Sequence, residues 1–135
     1  MARSGFFSVD SLKGVHVLVV DDERVAREVL RDVLEYCGAL VLSIGSAHEA
    51  FDSLRLIKPD LVVTKLTLPE HDGFWLLRQL RSLKPEAGGE VPAIAISGSD
   101  DDQEESLTAG FHAHFTWPLN PWELTRTIAS LVEPA

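Results

Sequence analysis

Asp21-Asp22-Glu23 follows directly on the apolar run Val15–Val20 (VHVLVV). Adjacent carboxylates at the end of a buried strand offer oxygen ligands to a divalent cation, or acceptors to a neighbouring cationic side chain. Acids at a helix start also serve as simple partners of the helix dipole, worth ~0.3–1 kcal/mol. Further along, Lys65 ends the run LVVTK, Ser97 ends AIAIS and Trp117 follows HAHFT. These bring an ammonium donor, a hydroxyl and a bulky indole of the kind enriched at partner surfaces. His112 and His114 share one strand face at period two, with no third metal ligand close in sequence. The single cysteine, Cys37, excludes an internal disulfide and a multi-cysteine metal site, and fits a reducing compartment.

The elements that must position these groups alternate. Val15–Val20 reads as a strand buried on both faces, and Leu40–Ile44, Leu61–Lys65, Ala93–Ser97 and His112–Trp117 read as four further strands. Between the first two, Val25, Ala26, Val29, Leu30, Val33, Leu34 and Cys37 recur at helical steps, and Gly38 stops the helix. Ser46 with Glu49 makes a capping box for a second helix whose inner stripe is Ala47, Ala50, Phe51, Leu54 and Ile57. Asp72 caps a third helix carrying Leu76, Leu77, Leu80 and Leu83, and Asp100–Ala109 gives a weakly periodic, acidic fourth. Asn120, Pro121 and Glu123 start the last helix, with Leu124, Ile128, Leu131 and Val132 facing inward. Trp75 and Trp122 stand near helix starts, where packing on neighbouring loop residues is the ordinary role.

Five strands alternating with five helices through short connections dictate an α/β fold with a parallel sheet covered on both sides. The expected form is a doubly wound, flavodoxin-like (βα)5 sheet with strand order 2-1-3-4-5. Sites in such sheets form outside the carboxyl ends of the strands, which singles out Asp21, Asp22, Lys65, Ser97 and Trp117.

With 135 residues, 45% hydrophobic and 24% charged, the chain suits one packed domain. Residues 1–13 read as a leader or linker and residues 14–133 as the domain. Twelve Lys+Arg against 21 Asp+Glu give a net charge of −9, which argues against nucleic acid or anionic lipid as a partner. No apolar run approaches a membrane span and the start lacks a signal-peptide core, so a cytoplasmic domain without membrane contact is expected.

VLVVDDE at Val17–Glu23, PDLVV and LPEHDG within Pro59–Gly73, PAIAISG at Pro92–Gly98 and GFHAHFTWPLNPWEL at Gly110–Leu124 together resemble a response-regulator receiver domain. The lead-in Leu12-Lys13-Gly14, the PEAGGE loop and AGFHAHFTWP are most similar to receivers of hybrid sensor histidine kinases. The resemblance implies an Mg²⁺ site on the acidic pair, here Asp21 and Asp22, and on an acceptor aspartate ending the third strand. It implies phosphoryl transfer to that aspartate from a histidine kinase. It further implies a phosphate-binding hydroxyl at Ser97, a phosphate-binding lysine before Pro118, and an aromatic switch position at His114. Two of these positions depart: Lys65 stands at the acceptor and Trp117 at the lysine.

An amine cannot form an acyl phosphate, and a cation at position 65 opposes Mg²⁺ binding, so Asp21 and Asp22 are expected to be a vestigial metal site. Lys65 is expected to pair with Asp21 or Asp22, about 4.8 Å away across the sheet. The expectation is a phosphorylation-incompetent receiver, not an enzyme and without a cofactor, acting as an interaction module in two-component signalling. Its partner would be a histidine kinase or other two-component protein, separate or fused in one chain, with a homodimer as a further arrangement. One rival is a small-molecule sensor using the strand-end crevice. Another is a flavodoxin-like enzyme, disfavoured because no glycine-rich phosphate loop follows the first strand. A third is a conventional receiver phosphorylated elsewhere, at Asp60 or Asp72. Asp60 falls at the wrong end of its strand, about 16 Å from the site at 3.3 Å per residue. Trp117, Phe115 and His114 are candidates for one aromatic patch facing a partner.

Overall fold

The apolar runs His16–Val20, Leu61–Lys65 and Ala93–Ser97 are buried over most of their length. Each stops at or just before a charged or polar residue, because a strand buried on both faces tolerates no interior charge. Leu40–Ile44 and Ala113–Thr116 are only partly buried. The computed structural model describes residues 10–132. It contains β1 (His16–Val20), α1 (Arg24–Tyr36), β2 (Leu40–Ile44), α2 (Ala47–Leu54), β3 (Leu61–Lys65) and α3 (Gly73–Arg81). These are followed by β4 (Ala93–Ser97), α4 (Gln103–Ala109), β5 (Ala113–Thr116) and α5 (Pro121–Val132). All pairings are parallel and the sheet order is β2-β1-β3-β4-β5, the flavodoxin-like arrangement. The PEAGGE loop contains a 3-10 turn at Pro85–Ala87, and a second at Asp100–Asp102 leads into α4.

Alternation along the strands sends successive side chains into two cores. Leu18, Val20, Val62, Ala93 and Ala95 pack with α2 and α3, while Val17, Val19, Leu61, Val63, Ile94 and Ile96 pack with α1 and α5. Leu12 is fully buried in the second core, and its N–H donates to the Cys37 carbonyl (2.8 Å). The packed unit therefore reaches back into the segment assigned to the leader. Residues 1–9 of that segment, and residue 133, lie outside the described residues.

Three local expectations are corrected. α2 ends at Leu54, not at Ile57. The Leu56 and Ile57 N–H groups both turn back to the Ser53 carbonyl, and Pro59 keeps Lys58 out of the helical region, leaving Ile57 exposed. On α1, Val25 and Val29 face solvent; the residues its inner face buries fully are Leu30 and Leu34. The α2 capping box is half-formed: Ser46 Oγ accepts from the Glu49 N–H (3.2 Å), but the Glu49 carboxylate takes the Ser46 hydroxyl (3.1 Å) rather than its N–H.

Two glycines set the frame of the site. Gly38 closes α1 at φ +100°, a left-handed conformation that strains other residues. Gly73 opens α3 directly against the end of β3, where a Cβ would stand 2.6 Å from the Lys65 carbonyl oxygen. Gly73 N–H donates to Leu66 O (2.8 Å), and the Asp72 carboxylate caps the helix at the Trp75 N–H (2.8 Å).

Candidate functional site

β1 delivers Asp21 and Asp22 one and two residues beyond its last residue, and the parallel register brings the end of β3 beside them. The two acids then diverge. Asp21 is 1% exposed; its Oδ1 accepts the Glu23 N–H (2.8 Å) and so closes the turn into α1. Arg27 holds the same turn through the Asp21 carbonyl (2.8 Å). Burial raises the Asp21 pKa above the ordinary 3.8, against the opposing pull of the Glu23 N–H and the Lys65 charge. Asp22 turns outward and meets Lys65: Nζ stands 3.0 Å from Asp22 Oδ1 and 3.7 Å from Glu23 Oε1.

The Lys65–carboxylate pairing expected from the sequence is therefore present, with Asp22 as its hydrogen-bonded acceptor. Glu23 as a second acid is an addition that strand-end reasoning did not supply. Burial lowers the Lys65 pKa; the Asp22 bond and the charges of Asp21, Asp22 and Glu23 outweigh that and leave it raised.

On the other side of the crevice, Ser97 ends β4, buried, and its Oγ lies 2.7 Å from His114 Nε2 and 2.9 Å from the Ser99 carbonyl. A hydroxyl has one proton to give, so donation to Ser99 leaves its lone pairs for an Nε2–H of His114. The resemblance implies a phosphate-binding role for Ser97; the histidine contact is one that sequence reasoning did not supply. His112 points its Nδ1 at the Ala93 N–H (3.3 Å), and among the described residues no cluster of three His, Cys, Asp or Glu is placed to hold a metal ion.

Trp117 N–H continues the β5 ladder to the Ser97 carbonyl (2.9 Å), and its half-buried side chain packs on the α1–α5 core with Phe115. The proposed aromatic patch is thus not one surface. Strand alternation places His114 beneath the opposite face, with Ser97, and partly buries Phe115. Trp117 instead shares an apolar groove of about 650 Å³ with Val25, Ala26, Val29, Gly98 and Lys65. Trp75 stacks on His71 (4.0 Å between ring centroids) and Trp122 meets Tyr36 edge-on (6.0 Å). Asp72 is committed to its cap, and Asp60 accepts the His16 N–H (2.8 Å) at the far end of the sheet.

A five-stranded 2-1-3-4-5 parallel sheet with an acidic pair after the first strand and a serine ending the fourth is the arrangement of a receiver-type signalling domain. The chain belongs to the response regulator receiver domain family, whose family model matches residues 17–129. It is 36% identical over 122 residues to an uncharacterized 14.6 kDa protein in the sodA1 3′ region of Leptolyngbya boryana, covering 89% of this chain and 92% of that one. It is 33% identical to the response regulator MprA of Mycolicibacterium vanbaalenii, covering 87% of this chain and 50% of that protein. It is 28% identical to hybrid signal transduction histidine kinase D of Dictyostelium discoideum, of which it spans 8%. The chain thus spans nearly all of one relative and half or less of the others.

Among solved structures, the receiver domain of sensor histidine kinase PA1611 from Pseudomonas aeruginosa PAO1 matches with a TM-score of 0.80 at 27% identity, over 90% of this chain and 99% of that one. That structure has a magnesium ion coordinated in its active site cleft. A response regulator from Chloroflexus aurantiacus matches with a TM-score of 0.82 at 25% identity, over 90% of this chain and all of that one. Receiver domains act with histidine kinases and other two-component proteins. Among the described residues no helix is long and apolar enough to cross a membrane.

Proposed function

We propose that this receiver has lost aspartyl phosphorylation and serves two-component signalling as a cytoplasmic protein-interaction module. One observation carries the reading: the side chain at the end of β3 is an ammonium held 3.0 Å from Asp22. Phosphoryl transfer in this family's manner needs a carboxylate there, and an amine in its place cannot yield an acyl phosphate. The donor set also fits a divalent cation poorly. One Asp22 oxygen is bonded to Lys65, Asp21 Oδ1 is taken by backbone, and a positive charge stands where the third oxygen ligand belongs.

Trp117, in place of the phosphate-binding lysine, puts an apolar wall where phosphoryl oxygens need a cation. The commitments of Asp60 and Asp72 to backbone N–H groups speak against either as a substitute acceptor. A second reading, a small-molecule site, draws on the apolar groove beside Trp117, whose size lies in the ligand range.

The decisive measurement is intact mass after incubation with acetyl phosphate and Mg²⁺. No gain is expected. A hydroxylamine-sensitive gain of one phosphoryl group would overturn the proposal.

A further inference from the structure

The two edges of the sheet are built differently. β5 is short, carries His114, and has its end fastened by Thr116 Oγ1 to Asp100. β2 reads Leu-Val-Leu-Ser-Ile, without the charge, proline or bulge that ordinarily blunts an open edge. Leu40 N–H donates to Val15 O (2.8 Å) and Ile44 O accepts from Asp21 N–H (3.1 Å), so Leu40, Leu42 and Ile44 address β1. Successive residues of a strand turn their backbone groups to opposite sides, which directs those of Val41 and Ser43 outward at the edge. Leu40 is 55% exposed and Leu42 40% exposed. They lie beyond the early end of α2, around a hollow of about 400 Å³ shared with His16, Leu18 and Ile57.

We propose that β2 is a homodimer interface, a second copy adding its own β2 antiparallel across a twofold axis at Leu42. In that register Val41 faces the partner's Ser43, and each such pair exchanges both N–H···O=C bonds. Leu42 faces its own copy and Leu40 faces the partner's Ile44, so the exposed leucines cover one another. Charge selects this antiparallel, self-paired occupant. The end of the edge near Ser43 is flanked by Glu49 and Asp52, and the end near Leu40 by Lys58. A twofold axis sets each acidic end against the partner's basic end, and the strand itself brings no like charges together.

The test is sedimentation velocity of the full chain from micromolar to submillimolar concentration, with two variants. The parent should approach twice the single-chain mass. Leu42→Lys opposes like charges on the axis and should weaken association at least about tenfold while leaving the melting temperature close to the parent's. Leu42→Cys puts two thiols at a non-hydrogen-bonded antiparallel pair, about 4.5 Å between Cα atoms, within reach of a disulfide. Mild oxidation should therefore give a covalent dimer that reductant dissolves, because the native Cys37 is buried. A parent at single-chain mass throughout overturns the proposal, whatever the cysteine variant does. So does a dimer that neither yields to Leu42→Lys nor crosslinks through Leu42→Cys.

Discussion

At the carboxyl end of the sheet, the β1–β3 half of the crevice and the β4–β5 half are satisfied by opposite means. The first is a charge problem: three acids converge, and Lys65 answers them with an ion pair that is still partly wet, its own side chain 22% exposed. The second is a hydrogen-bond problem: Ser97 Oγ meets the Ser99 carbonyl and His114 Nε2, and Trp117 covers the neighbouring rim with an indole. Charge at a partly exposed site responds to salt, pH and competing ions, whereas a buried hydroxyl–imidazole contact responds chiefly to loss of a partner. Under the proposed function, in which internal contacts replace a phosphorylation site, the domain should show the first behaviour on one side of the crevice and the second on the other.

The largest expected effect comes from Lys65→Asp, which turns the cationic half into a cluster of carboxylates. In chelator this variant should melt below the parent, because like charges that close repel. Mg²⁺ should then stabilise it through binding the folded state, by ~2.7 kcal/mol at 100 times its dissociation constant, while leaving the parent unmoved. Acetyl phosphate should modify the variant poorly until Trp117→Lys is added. Equal Mg²⁺ stabilisation of parent and variant, followed by thermal melts, would remove Lys65 as the resident cation and collapse the contrast between the halves.

Single deletions in each half sharpen it. Ser97→Ala strips His114 and Ser99 of a partner and should cost about 1 kcal/mol by denaturant titration, at low and high salt alike. Lys65→Met should cost about 1 kcal/mol or less, and the loss should shrink as salt rises. The Lys65 pKa is raised above its ordinary 10.5, so its contribution is complete below pH 10.5 and fades only as pH climbs through the folded value. A Ser97→Ala cost that salt screens would contradict the hydrogen-bonded character of the second half.

The smallest effect isolates Asp21 from Asp22. The folded chain holds the Asp21 proton more tightly than the unfolded chain, since burial raises its pKa above 3.8. That contribution is present below pH 3.8 and lost as pH rises through the folded value, so at neutral pH the ionised carboxylate subtracts from stability. Asp21→Asn keeps an oxygen for the Glu23 N–H and should be slightly more stable than the parent at pH 7, the advantage disappearing in acid. Melts across pH with no crossover would show that Asp21 is not the strained member of the pair.

By itself the sequence determined the layers and the place of the site. Buried parallel strands show as apolar runs, so Leu61–Lys65 and Ala93–Ser97 were legible to the residue, as was the half-exposed Leu40–Ile44. The charged or polar residues at the ends of the central runs marked the crevice. It also determined that a lysine and two acids would share neighbouring strand ends. Which acid the lysine bonds was a tertiary decision. Asp21 is captured by the Glu23 N–H as the chain turns into α1, which leaves Asp22 to Lys65 and brings Glu23 within reach. The Ser97–His114 contact likewise depends on β4–β5 register, which pairs Ala95 with His114 and places the imidazole one step from Ser97. Val25 and Val29 keep a helical period that looks buried, but which part of that stripe the sheet covers, Leu30 and Leu34, is decided by how α1 packs. The end of α2 was also out of reach, because the turn at Ser53 competes with the helix through backbone bonds that every sequence can make. Side-chain type and spacing encode burial against water, and this is local; choice among equivalent partners needs three-dimensional distances, which only the packed chain supplies.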